Sequence, residues 1–210
     1  MPAPAPKALA LDFGKVLTTS PDYTTYAALQ KRLGVSAQAF GEAWARHRHE
    51  YDRGRHDALA FWSLVLDETV PGIDAQTVQT LVPELTDADF ACWDQPRWDF
   101  HRVVQAALDD GVPAAIVSNM PPRLGPRFVA KWSWLQRIPY RFFSAEIGLV
   151  KPDEAFYRHV LERTGWDPGL VLFVDDLPAN VEAAARLGFQ TLLFTGSDED
   201  LDTVARWARS

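Results

Sequence analysis

In ALALDFGKVL, residues 8–17, a short apolar run ends on a carboxylate, Asp12, and a glycine, Gly14, follows two positions later. The pattern of an apolar run with a polar end recurs, strongly in two segments and weakly in two more: PAAIVS (113–118), LVLFVDD (170–176), YRFFS (140–144) and QTLLFT (190–195). Short continuous runs rich in β-branched and aromatic residues are typical of parallel strands covered on both faces. The sequence therefore predicts a buried parallel sheet built from these runs.

Helical patterns separate the strands in the second half of the chain. They cover residues 97–111, 152–165 and 178–188, and each ends near a glycine that suits a helix C-terminus. Strands that alternate with helices indicate βαβ units. We therefore predict an α/β fold with a doubly wound parallel sheet, similar to a Rossmann fold.

The segment between the first two strands breaks this alternation. It contains only helical patterns, separated by glycines and by PGID: residues 21–34, 36–54, 57–70 and 74–85. We predict an all-helical domain, residues 20–96, inserted into an α/β core domain formed by residues 1–19 and 97–210.

Composition narrows the class of protein. The 210 residues carry a net charge of −7, which argues against a nucleic-acid partner, and the single cysteine, Cys92, cannot form an internal disulfide. Residues 1–7, MPAPAPK, lack the apolar segment of a signal peptide, and no run is long and apolar enough to cross a membrane. We expect a frayed N-terminal leader on a cytoplasmic protein without a membrane partner; the oligomeric state stays open between monomer and homodimer.

Polar side chains follow the predicted strands where each strand ends. In a doubly wound sheet these ends meet at one edge, where functional groups gather. The residues there are Asp12, Ser118, Asn119, Asp175 and Asp176, joined by Lys151 just before a helix. Clustered carboxylates need a hard cation such as Mg²⁺, and an ammonium with a hydroxyl suits phosphate oxygens. The set predicts a phosphoryl-transfer site.

Four segments, LDFGKV, VSNM, GLVKPDEAFY and FVDDLPANVEAAARLG, resemble in order the four motifs of the haloacid dehalogenase (HAD) superfamily. The helical insert resembles the cap of that superfamily. The likeness is greatest to the branch whose first motif reads Asp-Leu-Gly-Gly or Asp-Leu-Gly-Asn, which includes sugar-phosphate phosphatases and relatives of the epoxide hydrolase phosphatase domain. The resemblance implies a Mg²⁺-dependent phosphatase of a small phosphorylated metabolite.

The resemblance also implies a role for each residue of the site. Asp12 would be the nucleophile that forms an aspartyl-phosphate. Mg²⁺ would be held by Asp12, the backbone carbonyl of Gly14, Asp175 and Asp176. The phosphoryl group would be bound by Ser118, Asn119 and Lys151, and Asn180 would support Lys151 or the acidic loop.

Gly14 departs from the usual pattern of the family. Most of its phosphatases carry there a second Asp that protonates the leaving oxygen, a role worth about 10²–10⁴ in rate. Gly14 cannot do this, so the enzyme would use substrates with acidic leaving groups, borrow an acid from the cap or the substrate, be slow, or not hydrolyse phosphate. Lys15 is a conceivable substitute.

The helical insert carries RHRHEYDRGRHD, residues 46–57. We expect Arg46, His49 and Arg53 to share a helix face that contacts the substrate, and a histidine there could supply the missing proton. Arg123 could also meet the substrate, and Trp93 and Trp98 could line the cleft.

Two alternative functions stay open. One is a 2-haloacid dehalogenase, which shares the fold, the Asp nucleophile and a run similar to SNMPPRL, residues 118–124, but works without metal. Such enzymes typically carry Ser-Asn in place of Asp175 and Asp176, so this chain favours the phosphatase. The other is a catalytically weak phosphate-binding or regulatory protein.

Overall fold

A five-stranded sheet lies at the centre of the computed structural model, which describes residues 7–209. The strands are β1 (Ala8–Leu11), β2 (Ala114–Ser118), β3 (Tyr140–Phe143), β4 (Val171–Asp175) and β5 (Gln190–Leu193). Their order is β3-β2-β1-β4-β5, and each neighbouring pair is parallel. All five predicted strands are present. The expected N-terminal leader covers residues 1–7, and residues 1–6 of it lie outside the described part.

Between β1 and β2, the first elements are helices with their own hydrophobic core. A 3₁₀ helix at Tyr23–Tyr26 precedes α1 (Ala27–Leu33), α2 (Ala37–Asp52), α3 (Ala58–Thr69) and α4 (Ala75–Cys92). Ser36, Asp57 and Asp74 cap three of them, because each side chain accepts a backbone N–H in the first turn. Phe40, Tyr51, Phe61 and Trp62 are buried among these helices.

An isolated bridge pairs Thr18 with Pro96, at the two ends of this helical segment. We call residues 20–96 the helical cap; the division at residues 20 and 97 itself stays a prediction. The last cap helix, α4, runs through Pro83 to Cys92, beyond the predicted end at residue 85.

Helices cover both faces of the sheet. The remaining α-helices are α5 (Trp98–Asp109), α6 (Leu124–Lys131), the short α7 (Ser144–Ile147), α8 (Glu154–Thr164), α9 (Pro178–Arg186) and α10 (Asp198–Arg209). Leu9 and Leu11 of β1 belong to a core cluster with α5, α6 and α10, whereas Ala8 and Ala10 belong to one with α8 and α9. This alternation confirms the doubly wound α/β fold.

None of the described helices has the length and apolar character of a membrane span.

Packing of α6 against β3 needs a residue without a side chain. A Cβ added to Gly125 would lie 2.3 Å from Cδ2 of Phe143, which is buried at the end of β3. The substitution Gly125→Ala should therefore lower the free energy of unfolding by roughly 1–3 kcal/mol, since overpacking displaces buried atoms.

The matched control is Gly41→Ala in the exposed part of α2, where an added Cβ meets no atom within 4 Å. That change should raise stability by about 0.5–1 kcal/mol, because alanine favours the helix. Thermal unfolding of both variants checks the pair. Shifts of Tm in the same direction would contradict this account of the packing.

Candidate active site

The point where the sheet changes winding direction brings two carboxylates together. β1 lies between β2 and β4, so its carboxyl end and that of β4 flank the crevice in which α/β proteins bind ligands. Asp12 directly follows β1, and its N–H donates to the carbonyl of Val174 at 2.9 Å. Asp175 is the last residue of β4. The backbone pairing thus fixes both side chains at one edge.

A buried ammonium joins these carboxylates. Lys151 Nζ lies 2.8 Å from Oδ1 of Asp12 and donates to Oδ2 of Asp175 at 2.6 Å. Lys151 is 2% exposed and Asp175 is fully buried. A charge that is removed from water in this way is tolerated only when it is paired and hydrogen-bonded. The three side chains therefore form one electrostatic unit.

Asn119 sets the position of this lysine. Its side-chain amide donates to the carbonyl of Lys151 at 2.9 Å and accepts the Lys151 N–H at 2.8 Å. The loop after β2 thereby holds the segment before α8. The side chain of Asn119 is a structural clamp, and its neighbour Ser118 is buried at the end of β2.

Asp175 is held from the side of α9. Asn180 Nδ2 donates to both of its carboxylate oxygens, at 3.0 and 3.1 Å, and the N–H of Leu177 donates to Oδ1 at 2.9 Å. The hydroxyl of Tyr157 donates to the Asn180 carbonyl at 3.0 Å. Asn180 therefore buttresses the acidic loop, and Tyr157, which the sequence analysis did not single out, supports Asn180.

Asp12, Asp175 and Asp176 each offer a carboxylate oxygen, and these three atoms lie within 4.8 Å of one another. An all-oxygen donor set fits Mg²⁺. Lys151, Asn180 and Leu177 already bind the oxygens of Asp175. Asp12 and the partly exposed Asp176 are therefore better placed to hold a cation directly. Lys15 Nζ lies 3.1 Å from Asp176 and is 45% exposed.

Burial changes the proton affinities of this unit. Burial raises the pKa of Asp12 to about 6; Lys151 opposes the rise and Asp175 adds to it. Burial lowers the pKa of Lys151, but the charges of Asp12 and Asp175 outweigh burial, so the net shift is upward. The lysine therefore stays an ammonium, and added positive charge beside Asp12 would favour its ionised form.

A cavity of about 230 Å³ opens at this edge between the sheet and the helical cap. Its polar lining from the core consists of Asp12, Lys15, Ser118, Asn119, Lys151, Asp176 and Asn180. Its lining from the cap consists of Trp44, Arg48, Asp52 and Trp93. Apolar residues such as Phe13, Met120 and Phe128 complete the wall, so a ligand would meet a polar floor and a largely apolar surround.

The cap residues expected to contact substrate lie elsewhere. Arg46 binds Glu68 at 2.9 Å, and Arg53 binds Asp153 at 2.8 Å while its guanidinium lies 3.3 Å from His49 Nε2. These three residues do not line the cavity. The face of α2 that meets this cavity is a different one, and substrate contact by Arg46, His49 and Arg53 stays a prediction.

The face of α2 that lines the cavity carries Trp44, Arg48 and Asp52. The regular spacing of four residues was the signal that could have found it. Of the other expected contacts, Trp93 lines the cavity, whereas Arg123 and the 59% exposed Trp98 do not.

Trp93 packs beside Gly14, two residues after Asp12. A Cβ added to Gly14 would lie 3.0 Å from Cζ3 of Trp93, at the tight limit of contact. The indole belongs to the segment that returns from α4 to the core. The cap therefore crowds the space beside position 14, and a side chain there would need the indole to shift.

Comparison with curated proteins finds partial relatives. The chain is 36% identical over 61 residues to flavin mononucleotide hydrolase 1 of Arabidopsis thaliana, a match that covers 29% of this chain and 25% of the relative. It is 40% identical over 68 residues to a drimenol cyclase of Aspergillus calidoustus, covering 32% of this chain and 12% of the relative. These matches span a quarter or less of either relative.

Solved structures share the fold over nearly the whole chain. A predicted HAD-like family hydrolase from Porphyromonas gingivalis has a TM-score of 0.72 at 21% identity, with 98% of both chains covered. A HAD family enzyme from Bacteroides thetaiotaomicron, solved as a variant with magnesium and inorganic phosphate, has a TM-score of 0.69 at 18% identity, covering 92% of this chain and 97% of that one. An L-2-haloacid dehalogenase has a TM-score of 0.66 at 17% identity, covering 99% and 100%.

The family model of the haloacid dehalogenase-like hydrolases matches residues 6–188. That range contains all four motifs, the helical cap, the acidic cluster of Asp12, Asp175 and Asp176, and Lys151. The chain belongs to the haloacid dehalogenase-like hydrolase family.

Proposed function

We propose that the protein is a Mg²⁺-dependent phosphatase that hydrolyses a small phosphorylated metabolite through an aspartyl-phosphate on Asp12. The observation that carries the proposal is the buried Lys151 ammonium between Asp12 and Asp175, beside a third carboxylate, Asp176. Three acids against one buried ammonium leave a site that favours a divalent cation. A cation and an ammonium together can then receive an anionic phosphoryl group.

Each residue of the chain has a definite task in this reaction. Lys151 holds the Asp12 carboxylate in place through Oδ1, which leaves its other oxygen to attack phosphorus. The Ser118 hydroxyl and the backbone N–H of Asn119 bind oxygens of the transferring group, and the Lys151 ammonium offsets their charge. Asp12, Asp176 and the Gly14 carbonyl, with Asp175 in support, would hold Mg²⁺, which would neutralise charge on the phosphoryl oxygens.

The dehalogenase alternative has support from the fold alone. Its substrate is a carboxylate anion, which Asp175 and Asp176 would repel in the absence of a cation. The flavin mononucleotide hydrolase relative acts on a phosphate ester, and the Bacteroides enzyme was solved with magnesium and phosphate. Both support a phosphate ester as the substrate here.

We expect the protein to hydrolyse an aryl phosphate in the presence of Mg²⁺, and EDTA to abolish the reaction. Asp12→Asn should lower kcat by at least about 10³, because an amide cannot form the covalent intermediate. The control is Asp74→Asn, which removes a charge at the N-cap of α4, where asparagine caps equally well. No activity of wild type above that of Asp12→Asn would contradict the proposal and favour a phosphate-binding protein without turnover.

Mg²⁺ should also stabilise the folded protein at pH 7 without any substrate. A cation present at ten times its Kd adds about 1.4 kcal/mol, or roughly 3–6 °C in Tm for a domain of this size. Asp176→Asn should remove most of this shift, since it deletes the most accessible acidic ligand. Thermal unfolding with Mg²⁺ or EDTA measures it, and an equal Mg²⁺ shift in both proteins would show that the cation binds elsewhere.

A further inference from the structure

We propose that Asp52, at the end of cap helix α2, is the acid–base residue of the active site, which protonates the leaving-group oxygen and later activates water. This inference rests on the proposed phosphatase function. It assigns proton transfer to the cap, because Gly14 has no side chain that could carry it.

Trp93 closes the usual route for a proton donor. Gly14 has no side chain, and the Trp93 ring would lie in tight contact, 3.0 Å, with a Cβ added there. An acid at this site must therefore come from another part of the cavity wall. The wall contributed by the cap carries a single carboxyl group among the described residues, that of Asp52.

The other titratable groups that line the described cavity already have tasks. Asp12 and Asp176 belong to the acidic cluster, and Lys151 is held between two carboxylates. Lys15 is half exposed and pairs with Asp176, and Arg48 is a guanidinium, which stays protonated. Asp52 is the carboxyl group left over.

The contacts of Asp52 suit a group that exchanges a proton. Arg48 Nε donates to its Oδ1 at 2.7 Å, and Arg48 Nη1 donates to both oxygens of Asp89, at 2.9 and 3.1 Å. The Tyr26 hydroxyl also donates to Asp89 at 2.8 Å. Asp89 is fully buried and accepts three hydrogen bonds from two donor groups, whereas Asp52 accepts one from the guanidinium and has 15% exposure of its side chain.

One guanidinium faces two carboxyl groups in this cluster, so its formal charge is −1 when both are ionised. A buried excess charge is unfavourable, and a proton on one carboxyl group relieves it. Asp89 accepts three hydrogen bonds and lies away from the cavity, whereas Asp52 accepts one and faces it, so we place the proton on Asp52. Burial raises the pKa of Asp52, Arg48 opposes the rise, and Asp89 adds to it while His49 lowers it.

The core fixes the end of α2 beside the loop after β2, which follows the proposed phosphate-binding residue Ser118. Ser144 donates its hydroxyl to the backbone carbonyl of Asp52 and accepts the N–H of Met120 at 2.8 Å. Met120 lies two residues after Ser118 in that loop. The contact therefore ties the acid to the loop that binds the transferring group.

The proposed steps balance. As the Asp12 carboxylate forms its bond to phosphorus, the bond from phosphorus to the leaving oxygen breaks, and that oxygen takes the proton of Asp52. The Asp52 carboxylate then removes a proton from water, which attacks phosphorus. Phosphate leaves, and Asp12 is again a carboxylate.

The test compares an alkyl phosphate, whose leaving group needs a proton, with a nitrophenyl phosphate, whose leaving group does not. Asp52→Asn should lower kcat/KM by about 10²–10⁴ for the alkyl ester and by less than about tenfold for the aryl ester. The matched control is Asp89→Asn, which alters the same Arg48 cluster away from the cavity. It should change both substrates by the same factor.

Each outcome has a separate meaning. Equal losses for both substrates in Asp52→Asn, or the same selective loss in Asp89→Asn, would overturn the role of Asp52. If the Asp52 variant fails to fold, the wild-type rates over a series of phosphate esters decide: a steep dependence on leaving-group pKa overturns the proposal, and a shallow one supports it. Failure of wild type to hydrolyse even the aryl ester would overturn the phosphatase function itself.

Discussion

The site depends on one interaction, the ion pairing of the buried Lys151 ammonium with Asp12 and Asp175. Without it, two buried carboxylates would face each other across the ends of β1 and β4. The surrounding residues serve this unit: Asn119 fixes the lysine backbone, and Asn180, held by Tyr157, fixes Asp175. The sheet order places both acids at the same edge, and the segment before α8 supplies the Lys151 ammonium between them.

The helical cap forms part of the wall of the same cavity. Its own aromatic core keeps α2, α3 and α4 together, and one face of α2 presents Trp44, Arg48 and Asp52 to the cavity. The segment that returns to the core adds Trp93, which occupies the space beside Gly14. The glycine two residues after Asp12 thus packs against the cap, and the proposed proton donor, Asp52, lies across the cavity.

The strand ends could be predicted because a polar residue after a buried run is visible in the sequence. Asp12, Ser118, Asp175 and their neighbours lie together because the parallel strands that they follow or end all finish at the same edge of the sheet. The cap side of the cavity could not, because it depends on which face of α2 meets the core. The choice of Arg46, His49 and Arg53 followed charge density, whereas burial of Tyr51 and Phe40 turns Arg48 inward. The pairing of Arg48 with Asp89 joins two helices far apart in sequence, and no local pattern encodes it.

The most direct test of this account is to trap the covalent intermediate. Wild-type protein with Mg²⁺ would be mixed with a radiolabelled phosphate ester that it turns over, quenched with acid, and digested for peptide mapping. The account predicts a label on the peptide that contains Asp12, released by hydroxylamine as expected for an acyl phosphate. A label on another residue, or steady turnover with no labelled protein at any quench time, would contradict it.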